Sequence, residues 1–192
     1  MKMTPLNATH LDAIKAHCLA LDADDFYLRF GSPKDARGEA WVSVYIDYTL
    51  RSAMKKREGA FFGGWDDTNK TLQVFVVINP EGGPSSKVFE VSISALPAAR
   101  GGLIKDLSGW LVTELMKRGA TDVVLTYQEG NRPVQRLVEQ LGMVKEDIEG
   151  VPFHRMKIDA HAKVVEAWVE GVDKLLAAAH KELAENPSTA KL

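Results

Sequence analysis

The sequence predicts an α/β fold of the α+β kind, with a mixed central sheet flanked by helices and a long extra helix at the C-terminus. Two apolar runs, residues 60–65 and 72–78, are joined by the turn residues 66–70 and predict an antiparallel hairpin. Residues 88–142 then follow the order strand, glycine turn, helix, strand, helix, which is that of a parallel unit. After residue 159, apolar residues recur at helical spacing for about seven turns.

Length and composition suit one globular domain with a substantial core. The chain has 192 residues, of which 45% are hydrophobic and 26% are charged. A net charge of −2 argues against a nucleic-acid binder that depends on attraction to phosphate. Cys18 is the only cysteine, so no internal disulfide can form, and neither paired cysteines nor an HExxH motif suggests a metal site. With no signal core and no apolar run of 18 residues, we expect a cytoplasmic protein without a membrane segment.

The first helix is expected after a short strand over residues 2–6. Thr9 is a plausible N-cap, because Asp12 follows three residues later. His10 and His17 lie near this helix without a partner at metal-ligand spacing, so we expect them to be surface or packing histidines. The apolar positions of the helix are Leu11, Ile14, Cys18, Leu19 and Leu21.

A break and a second helix are expected next. Residues 22–31 interrupt the helical pattern and predict a charged loop. The apolar anchors of this loop are Phe26, Leu28 and Phe30. Ser32 before Pro33 predicts a cap and a first-turn proline for a helix that ends near residue 54. The apolar side of this helix is expected to consist of Trp41, Val44, Tyr45, Tyr48 and Leu50.

The parallel unit begins with a strand over residues 88–96 and a turn at Arg100-Gly101-Gly102. The helix after the turn should end at Gly119, and its apolar face comprises Leu103, Ile104, Leu107, Leu111, Val112, Leu115 and Met116. A strand over residues 122–127 follows. The second helix of the unit then has Asn131 as a plausible cap and Pro133 in its first turn.

The glycine turn is the candidate functional feature of the unit. A helix N-terminus offers unpaired backbone N–H groups and the positive end of the helix dipole, so it can bind a phosphate. Gly101 and Gly102 would let a ligand approach that backbone closely, because neither has a Cβ atom. The alternative is a tight connection without a ligand, and spacing alone leaves both interpretations open. Neither GxGxxG nor a glycine loop ending in Gly-Lys-Ser/Thr is present.

Two motifs in this region resemble those of one family. The run EVSISALPAARG over residues 90–101 resembles motif A of the GNAT superfamily, the acyl-CoA N-acyltransferases. Asn131, followed by Leu137 and the run EQLGM over residues 139–143, resembles the second motif of the family, in which an Asn leads to an apolar-Gly-aromatic ending. The resemblance covers roughly residues 1–158 and implies a GNAT-like domain that uses acetyl-CoA.

The resemblance also implies which residues would contact the cofactor. In the family, backbone amides of the turn after the fourth strand wrap the pyrophosphate of acetyl-CoA, which corresponds here to Arg100, Gly101 and Gly102. The Asn of the second motif lies along the pantetheine and adenosine side, which corresponds to Asn131. A strand amide near Leu96 would polarise the thioester carbonyl. Residues 22–31 resemble a family segment that often faces the acceptor.

The sequence departs from the family pattern at three of its functional positions. The family turn reads Gln/Arg-Gly-x-Gly-x-Gly/Ala, whereas here, without a gap, Leu103 and Lys105 occupy the later glycine positions. If one residue is deleted, Gly102 matches the middle glycine and Ile104 replaces the last. The tyrosine that often protonates the departing thiolate falls at Val138, which has no proton to donate. Glu90 matches a position where many relatives keep a glutamate, in some of them as a base acting through water. The alternative for Glu90 is a strand carboxylate that neighbouring backbone groups satisfy.

The C-terminal part of the chain adds to the family pattern. Residues 143–148 and 152–158 are expected to form a final hairpin. Residues 159–185 predict an amphipathic helix about 40 Å long. Because a domain of this size rarely needs such a helix for its own core, we expect part of it to pack on the sheet, or the helix to dock on a partner or a second copy. Residues 186–192 are expected to form a tail.

Two functions follow from these features. The first is an N-acetyltransferase that transfers an acetyl group from acetyl-CoA to an unknown amine, with Glu90 as the candidate base. The second is a catalytically inactive GNAT-fold assembly protein, for example a phage virion component, that docks through its C-terminal helix. Retention of Arg100, Gly101 and Asn131 favours the enzyme. Loss of the later glycines and of the tyrosine favours the assembly protein.

Overall fold

A seven-stranded mixed sheet forms the centre of the fold. The computed structural model describes residues 2–34, 38–66, 68, 70–128, 130–132, 134–135, 139, 143–146 and 153–159. The strands are β1 (Met3–Pro5), β2 (Ala60–Trp65), β3 (Leu72–Pro80), β4 (Val88–Ala95), β5 (Asp122–Gln128), β6 (Val144–Glu146) and β7 (Phe153–Asp159). They lie in the order β1-β2-β3-β4-β5-β7-β6. Within this sheet β4 and β5 pair in parallel and the other neighbours pair antiparallel, which confirms the predicted fold class.

Helices cover both faces of the sheet and create two cores. The helices are α1 (Leu11–Ala20), α2 (Ala23–Phe30), α3 (Gly38–Val44), α4 (Arg51–Lys56) and α5 (Arg100–Lys117). Strand β3 contributes to both cores, because successive side chains point to opposite faces. Phe75 and Val77 pack in the core formed with α1, α2 and α3, whereas Val74 and Val76 pack in the core formed with α5. A strand buried on both faces explains the continuous apolar run in this part of the sequence.

The β2–β3 hairpin is confirmed where the sequence predicts it. The pairing runs from Ala60–Ile78 to Trp65–Leu72. At the turn, the carboxylate of Asp66 accepts hydrogen bonds from the Thr68 hydroxyl at 2.8 Å and from the backbone N–H of Lys70 at 3.0 Å. These bonds favour the ionised carboxylate and lower the pKa of Asp66 to about 2.

The N-terminal helices correct two predictions. Asn7, not Thr9, is the capping residue: it caps a 3₁₀ turn, Ala8–His10, that leads into α1, and its side chain accepts a hydrogen bond from the backbone N–H of Thr9 at 2.9 Å. The N-cap position of α1 itself is His10, which makes no side-chain capping bond. Residues 22–31 contain helix α2 where the sequence predicts a charged loop. Asp22 caps its first turn through a 2.8 Å bond from Asp25 N–H, and Gly31 ends it in the left-handed region at φ +66°. The acidic residues lie at the cap and in the first turn of a short amphipathic helix, whereas Arg29 in the last turn is partly buried and Phe26 is fully buried.

The second predicted helix exists but presents a different face to the core. Residues 32–34 lie outside it, so Ser32 and Pro33 do not form its first turn, and a π-helical segment, Tyr45–Leu50, joins α3 to α4. The buried side chains are Val42, Ile46 and Leu50, whereas the expected core residues Trp41, Val44 and Tyr48 are 52%, 50% and 76% exposed. In a regular α-helix, each residue four positions further on is rotated by about 40° around the axis. The wider π turn offsets this rotation, so Val42, Ile46 and Leu50, which are four residues apart, all face the core.

The parallel unit is confirmed in outline. Leu107 and Leu115 of α5 are buried, but Met116 is 62% exposed, so the apolar face is narrower than predicted. Gly119, at φ +70°, follows the last turn as expected. Strands β6 and β7 pair as the final hairpin requires, and β7 extends to Asp159. The predicted helix beyond that residue and the tail over 186–192 lie outside the described residues.

The turn before β2 yields a stability prediction. Gly59 and Gly82 both have φ +83°, but a Cβ atom at Gly59 would overlap the side-chain oxygen of Asn79 and lie 3.1 Å from the Ile78 carbonyl, whereas the space around Gly82 is open. We expect Gly82→Ala to cost about 1–2 kcal/mol from the left-handed backbone alone. Gly59→Ala should cost clearly more. Urea unfolding of both variants measures the difference, and equal losses would show that the contacts at Gly59 are relieved by movement of Asn79.

Candidate functional site

The candidate site begins where the two parallel strands stop pairing. The β4–β5 register runs from Val88–Asp122 to Val91–Leu125, yet β4 continues to Ala95 and β5 to Gln128. Beyond Val91 and Leu125, the described part of the sheet therefore contains a fork between two parallel strands. Ligands of α/β sheets commonly bind outside the carboxyl ends of parallel strands, where neighbouring connections leave a crevice.

A helix begins at the mouth of this fork. The chain leaves β4 through Leu96 and a 3₁₀ turn, Pro97–Ala99, and α5 starts at Arg100. The N-cap residue Ala99 supplies no side-chain hydrogen bond, and the first turn of α5 contains no acidic residue. The first N–H groups of a helix have no partner within the helix. Uncapped N–H groups and the positive end of an 18-residue helix make this a place suited to an anion.

The backbone assigns the unpaired N–H groups to particular residues. Ala99 N–H donates to the Leu96 carbonyl at 2.9 Å. The next leading N–H groups are those of Arg100, Gly101 and Gly102, and in an α-helix that starts at Arg100 they have no α-helical acceptor. Leu96 itself is 8% exposed, and its N–H donates to the Gln73 carbonyl at 2.9 Å. The sheet therefore uses the Leu96 amide, which the family resemblance assigns to a thioester carbonyl.

Asn131 lies after the second strand of the fork. Its side-chain oxygen accepts a hydrogen bond from the backbone N–H of Val134 at 3.4 Å, and its carbonyl accepts one from Gln135 N–H at 2.9 Å. Both contacts confirm the predicted N-cap. Because parallel strands end at the same edge of a sheet, Asn131 and the first turn of α5 lie on the same edge.

A row of polar side chains follows one face of β4. Glu90, Ser92 and Ser94 alternate with apolar residues that point into the α5 core, so the three face the side covered by α1 and α2. The Glu90 carboxylate accepts a hydrogen bond from the Thr126 hydroxyl of β5 at 2.9 Å. The hydroxyl of Ser94 lies 2.9 Å from Nε2 of His17. The row thus runs from just before the fork to the end of β4.

His17 is a buried member of this polar network. Its Nδ1 lies 2.8 Å from the Leu72 carbonyl, which can only accept, so Nδ1 carries the proton and Nε2 can accept from Ser94. Burial lowers the pKa of His17, and the charge of Arg29 lowers it further, although the bond to Leu72 opposes both effects. His17 is therefore a neutral packing histidine, in agreement with the expectation from the sequence.

Arg29 completes the row and was not predicted as a functional residue. Its guanidinium group donates one hydrogen bond to the Ser92 hydroxyl and another to Tyr45 Oη at 3.2 Å. The guanidinium carbon lies 5.9 Å from the ring centres of Phe30 and Tyr45. The serines at alternate positions of an otherwise apolar strand were the signal that could have revealed this row.

Other chemistries find no support in the part of the chain that the structure describes. Burial raises the pKa of the Cys18 thiol to about 11, so it is not a nucleophile at neutral pH. The described residues contain no group of three or more histidine, cysteine or carboxylate side chains arranged to hold a metal ion. None of their helices has the length and apolar character needed to cross a membrane.

Solved structures provide the likeness to known proteins. No family model matches the sequence, and no curated protein matches it. The GNAT domain of PAT from S. lividans aligns with a TM-score of 0.62 at 12% identity, over 82% of this chain and 89% of that one. The PaiA N-acetyltransferase of Thermoplasma acidophilum, in complex with coenzyme A, aligns with a TM-score of 0.64 at 16% identity, over 83% and 99%. A mutant form of the spermidine N-acetyltransferase SpeG of Vibrio cholerae gives 0.57 at 18% identity, over 82% and 94%.

These alignments establish the fold of the chain as that of the GNAT superfamily. The confirmed expectations are the antiparallel hairpin followed by the parallel unit and the helix that starts after β4. The fork between β4 and β5 is seen only in the structure. The roles of Glu90, Leu96, Arg100, Gly101, Gly102 and Asn131 remain predictions.

The buried histidine yields a prediction about pH. Since the folded state keeps His17 neutral, its contribution to stability is fully present above the unfolded pKa of about 6.5 and is lost as pH falls through its lowered folded pKa. As pH falls below 6.5, this residue should reduce the free energy of unfolding by up to about 1.4 kcal/mol per pH unit until its lowered folded pKa is reached. His17→Gln should show a shallower decline over that range in urea titrations. Parallel curves for the two proteins would refute the assignment.

Proposed function

With the GNAT fold as the premise, we propose that the chain is an N-acyltransferase that transfers an acetyl group from acetyl-CoA to an amine. The observation that carries the proposal is the fork between β4 and β5 with an uncapped, acid-free helix start at its mouth. This arrangement provides a cleft of strand length next to donors for an anion, as a thioester on a long phosphorylated carrier requires. The structure of a relative of the same fold contains coenzyme A.

The backbone around the fork suits the two chemically different parts of acetyl-CoA. The pyrophosphate would accept hydrogen bonds from the N–H groups of Arg100, Gly101 and Gly102, two of which have no side chain to obstruct it. The pantetheine amides would pair with the edge of β4 over residues 92–94, in the manner of an added strand. Asn131 would line the opposite wall. Leu96 can contribute only side-chain contact, because both its main-chain groups are engaged.

Glu90 is the proposed base. Glu90 is partly buried and lies just before the point where β4 and β5 separate. One of its carboxylate oxygens accepts a hydrogen bond from the Thr126 hydroxyl. Acetyl-CoA supplies an activated thioester, and the amine must lose a proton to attack it. The Glu90 carboxylate would accept that proton through a water molecule. With valine at position 138, we expect the departing thiolate to take its proton from solvent.

A second candidate function is a non-catalytic assembly module. The observation that favours it is an exposed apolar stripe on α3 and the π-helical segment, formed by Trp41, Val44 and Tyr48 at positions i, i+3 and i+7. The sequence adds the predicted amphipathic helix over 159–185, which would be a docking element separate from the domain over 1–158. A homo-oligomer or a foreign protein would be the partner. Such a module need not bind acetyl-CoA, so the shift of thermal unfolding with acetyl-CoA separates the two functions.

Cofactor binding by the full chain tests the proposed function directly. Acetyl-CoA at 100 times its Kd should stabilise the fold by about 2.7 kcal/mol, measured as a shift of thermal unfolding. Gly101→Glu should abolish the shift, because the added carboxylate stands among the pyrophosphate donors. The variant should still fold, since an acidic residue in a first turn stabilises a helix. Gly109→Glu, on the same helix where the space around Cα is open, is the matched control. The absence of any shift at millimolar acetyl-CoA would refute the enzyme.

The role of Glu90 as the proposed base can be tested separately. Glu90→Gln should lower kcat by roughly 10²-fold to 10⁴-fold, because glutamine accepts no proton at neutral pH. Its carboxamide oxygen can still accept the hydrogen bond from Thr126, so thermal stability should change little. Glu58→Gln, which alters an exposed carboxylate paired with Lys56 at 3.9 Å, is the control. An unchanged kcat would remove Glu90 from the mechanism and leave cofactor binding unaffected.

A further inference from the structure

Arg29 is a partly buried cation that has no counterion in the described part of the chain. None of the ion pairs there includes it. Two of its five N–H donors bond to neutral hydroxyl groups, those of Ser92 and Tyr45, and its Nε is buried without a hydrogen-bond partner. A buried charge ordinarily has a partner, because desolvation without one is costly. The guanidinium group therefore has an unmet capacity for an anion.

The position of Arg29 connects this capacity to the fork. Ser92, which accepts its hydrogen bond, is the residue directly after the last β4 residue paired with β5. Glu90 points to the same face of β4 two residues earlier. The cation and the proposed base therefore lie side by side on the face where an amine has to reach Glu90. Positions two apart on a strand are separated by about 6.6 Å.

We propose that Arg29 binds a carboxylate group of the acceptor, so that the acceptor is a small amine carrying its own carboxylate, as an amino acid does. This inference rests on the proposed function, because the chain has an acceptor only if it transfers an acyl group. Arg29 would bind the carboxylate with the donors left on its planar group, and the amine would face Glu90. Since Glu90 and Ser92, the β4 partner of Arg29, lie about 6.6 Å apart along the strand, short acceptors with one to three carbons between amine and carboxylate are the ones to compare.

The same geometry disfavours a polyamine. A spermidine-like acceptor brings only positive charges, and Arg29 would repel them on the face where the amine must bind. The spermidine N-acetyltransferase of the same fold therefore indicates the fold but not the acceptor of this chain. The two hydroxyl acceptors and the two aromatic rings stabilise the guanidinium group, but none of them carries the negative charge that would balance it.

The test is a calorimetric titration of the full chain with matched ligands. Glycine, β-alanine and 4-aminobutyrate are compared with methylamine, ethylamine and propylamine, which have the same skeletons without the carboxylate, and with spermidine. We expect one of the amino acids to bind roughly 10-fold to 100-fold more tightly than its matched amine and than spermidine. An equal or higher affinity for the amine or for spermidine would overturn the proposal without any variant.

Substitutions then assign the effect to Arg29. Arg29→Gln should weaken binding of the preferred amino acid by roughly 10-fold to 100-fold and raise its KM by a similar factor, with little change in kcat. Arg51→Gln, which removes an exposed arginine paired with Asp47 at 3.0 Å, should have no such effect. Should Arg29→Gln fail to fold, Arg29→Lys keeps the charge but loses the planar group, and the same loss of affinity is expected. An unchanged affinity in a folded Arg29 variant would overturn the proposal.

The two proposals fail in distinguishable ways. Amino-acid binding that depends on Arg29, in a protein that acetyl-CoA does not stabilise, would support the carboxylate site and refute the acyltransferase. Stabilisation by acetyl-CoA, in a protein that prefers amines without a carboxylate, would support the acyltransferase and refute the carboxylate site. Both measurements use the same protein sample.

Discussion

The fork between β4 and β5 depends on pairing at the outer edges of the two strands. Strand β3 stays paired with β4 as far as Ala95, and β7 stays paired with β5 as far as Gln128. Each strand therefore keeps one full ladder of hydrogen bonds while it loses the other, so the cleft remains open without a ligand to hold it. A parallel pair at the edge of a sheet could not separate in this way without losing a strand. The site is thus a consequence of strand order, with β7 inserted beside β5.

Specific hydrogen-bond partners offset the free-energy cost of burying the polar row on β4, which consists of Glu90, Ser92 and Ser94. Side chains of this kind inside a two-faced sheet destabilise the fold unless each is hydrogen-bonded. Ser94 has His17, Glu90 has Thr126, and Ser92 has Arg29. The Ser94–His17 pair is neutral, whereas the Glu90–Thr126 pair contains a carboxylate. Among the described residues, the third pair leaves the positive charge of Arg29 without a counterion, and the proposed carboxylate ligand would supply one.

The sequence predicted the elements whose signals are local. Apolar runs with a turn between them located β2 and β3, alternation located β4, and glycine located the end of α5. The sequence-based prediction was wrong where a short helix is defined by its two caps, as in α2. It was also wrong where a π-helical segment changes which side of the helix faces the core, as between α3 and α4. The site was predicted in part, because the helix start and Asn131 belong to contiguous motifs. The partnership of His17 with Ser94 spans 77 residues, and that of Arg29 with Ser92 spans 63, so neither has a local signal.

The departures from the family turn weigh less once the register of α5 is known. Unpaired N–H groups occur only at the start of a helix, and the Ala99 amide is already bonded to Leu96. The remaining donors belong to Arg100 and the two glycines, whereas Leu103 and Lys105 follow one position and three positions after them. Bulk at those later positions obstructs a diphosphate only if it leans back over the donors. Under the proposed function, the backbone that would bind the diphosphate therefore keeps its place, and the step that would differ most from the family is proton delivery to the thiolate at the position of Val138.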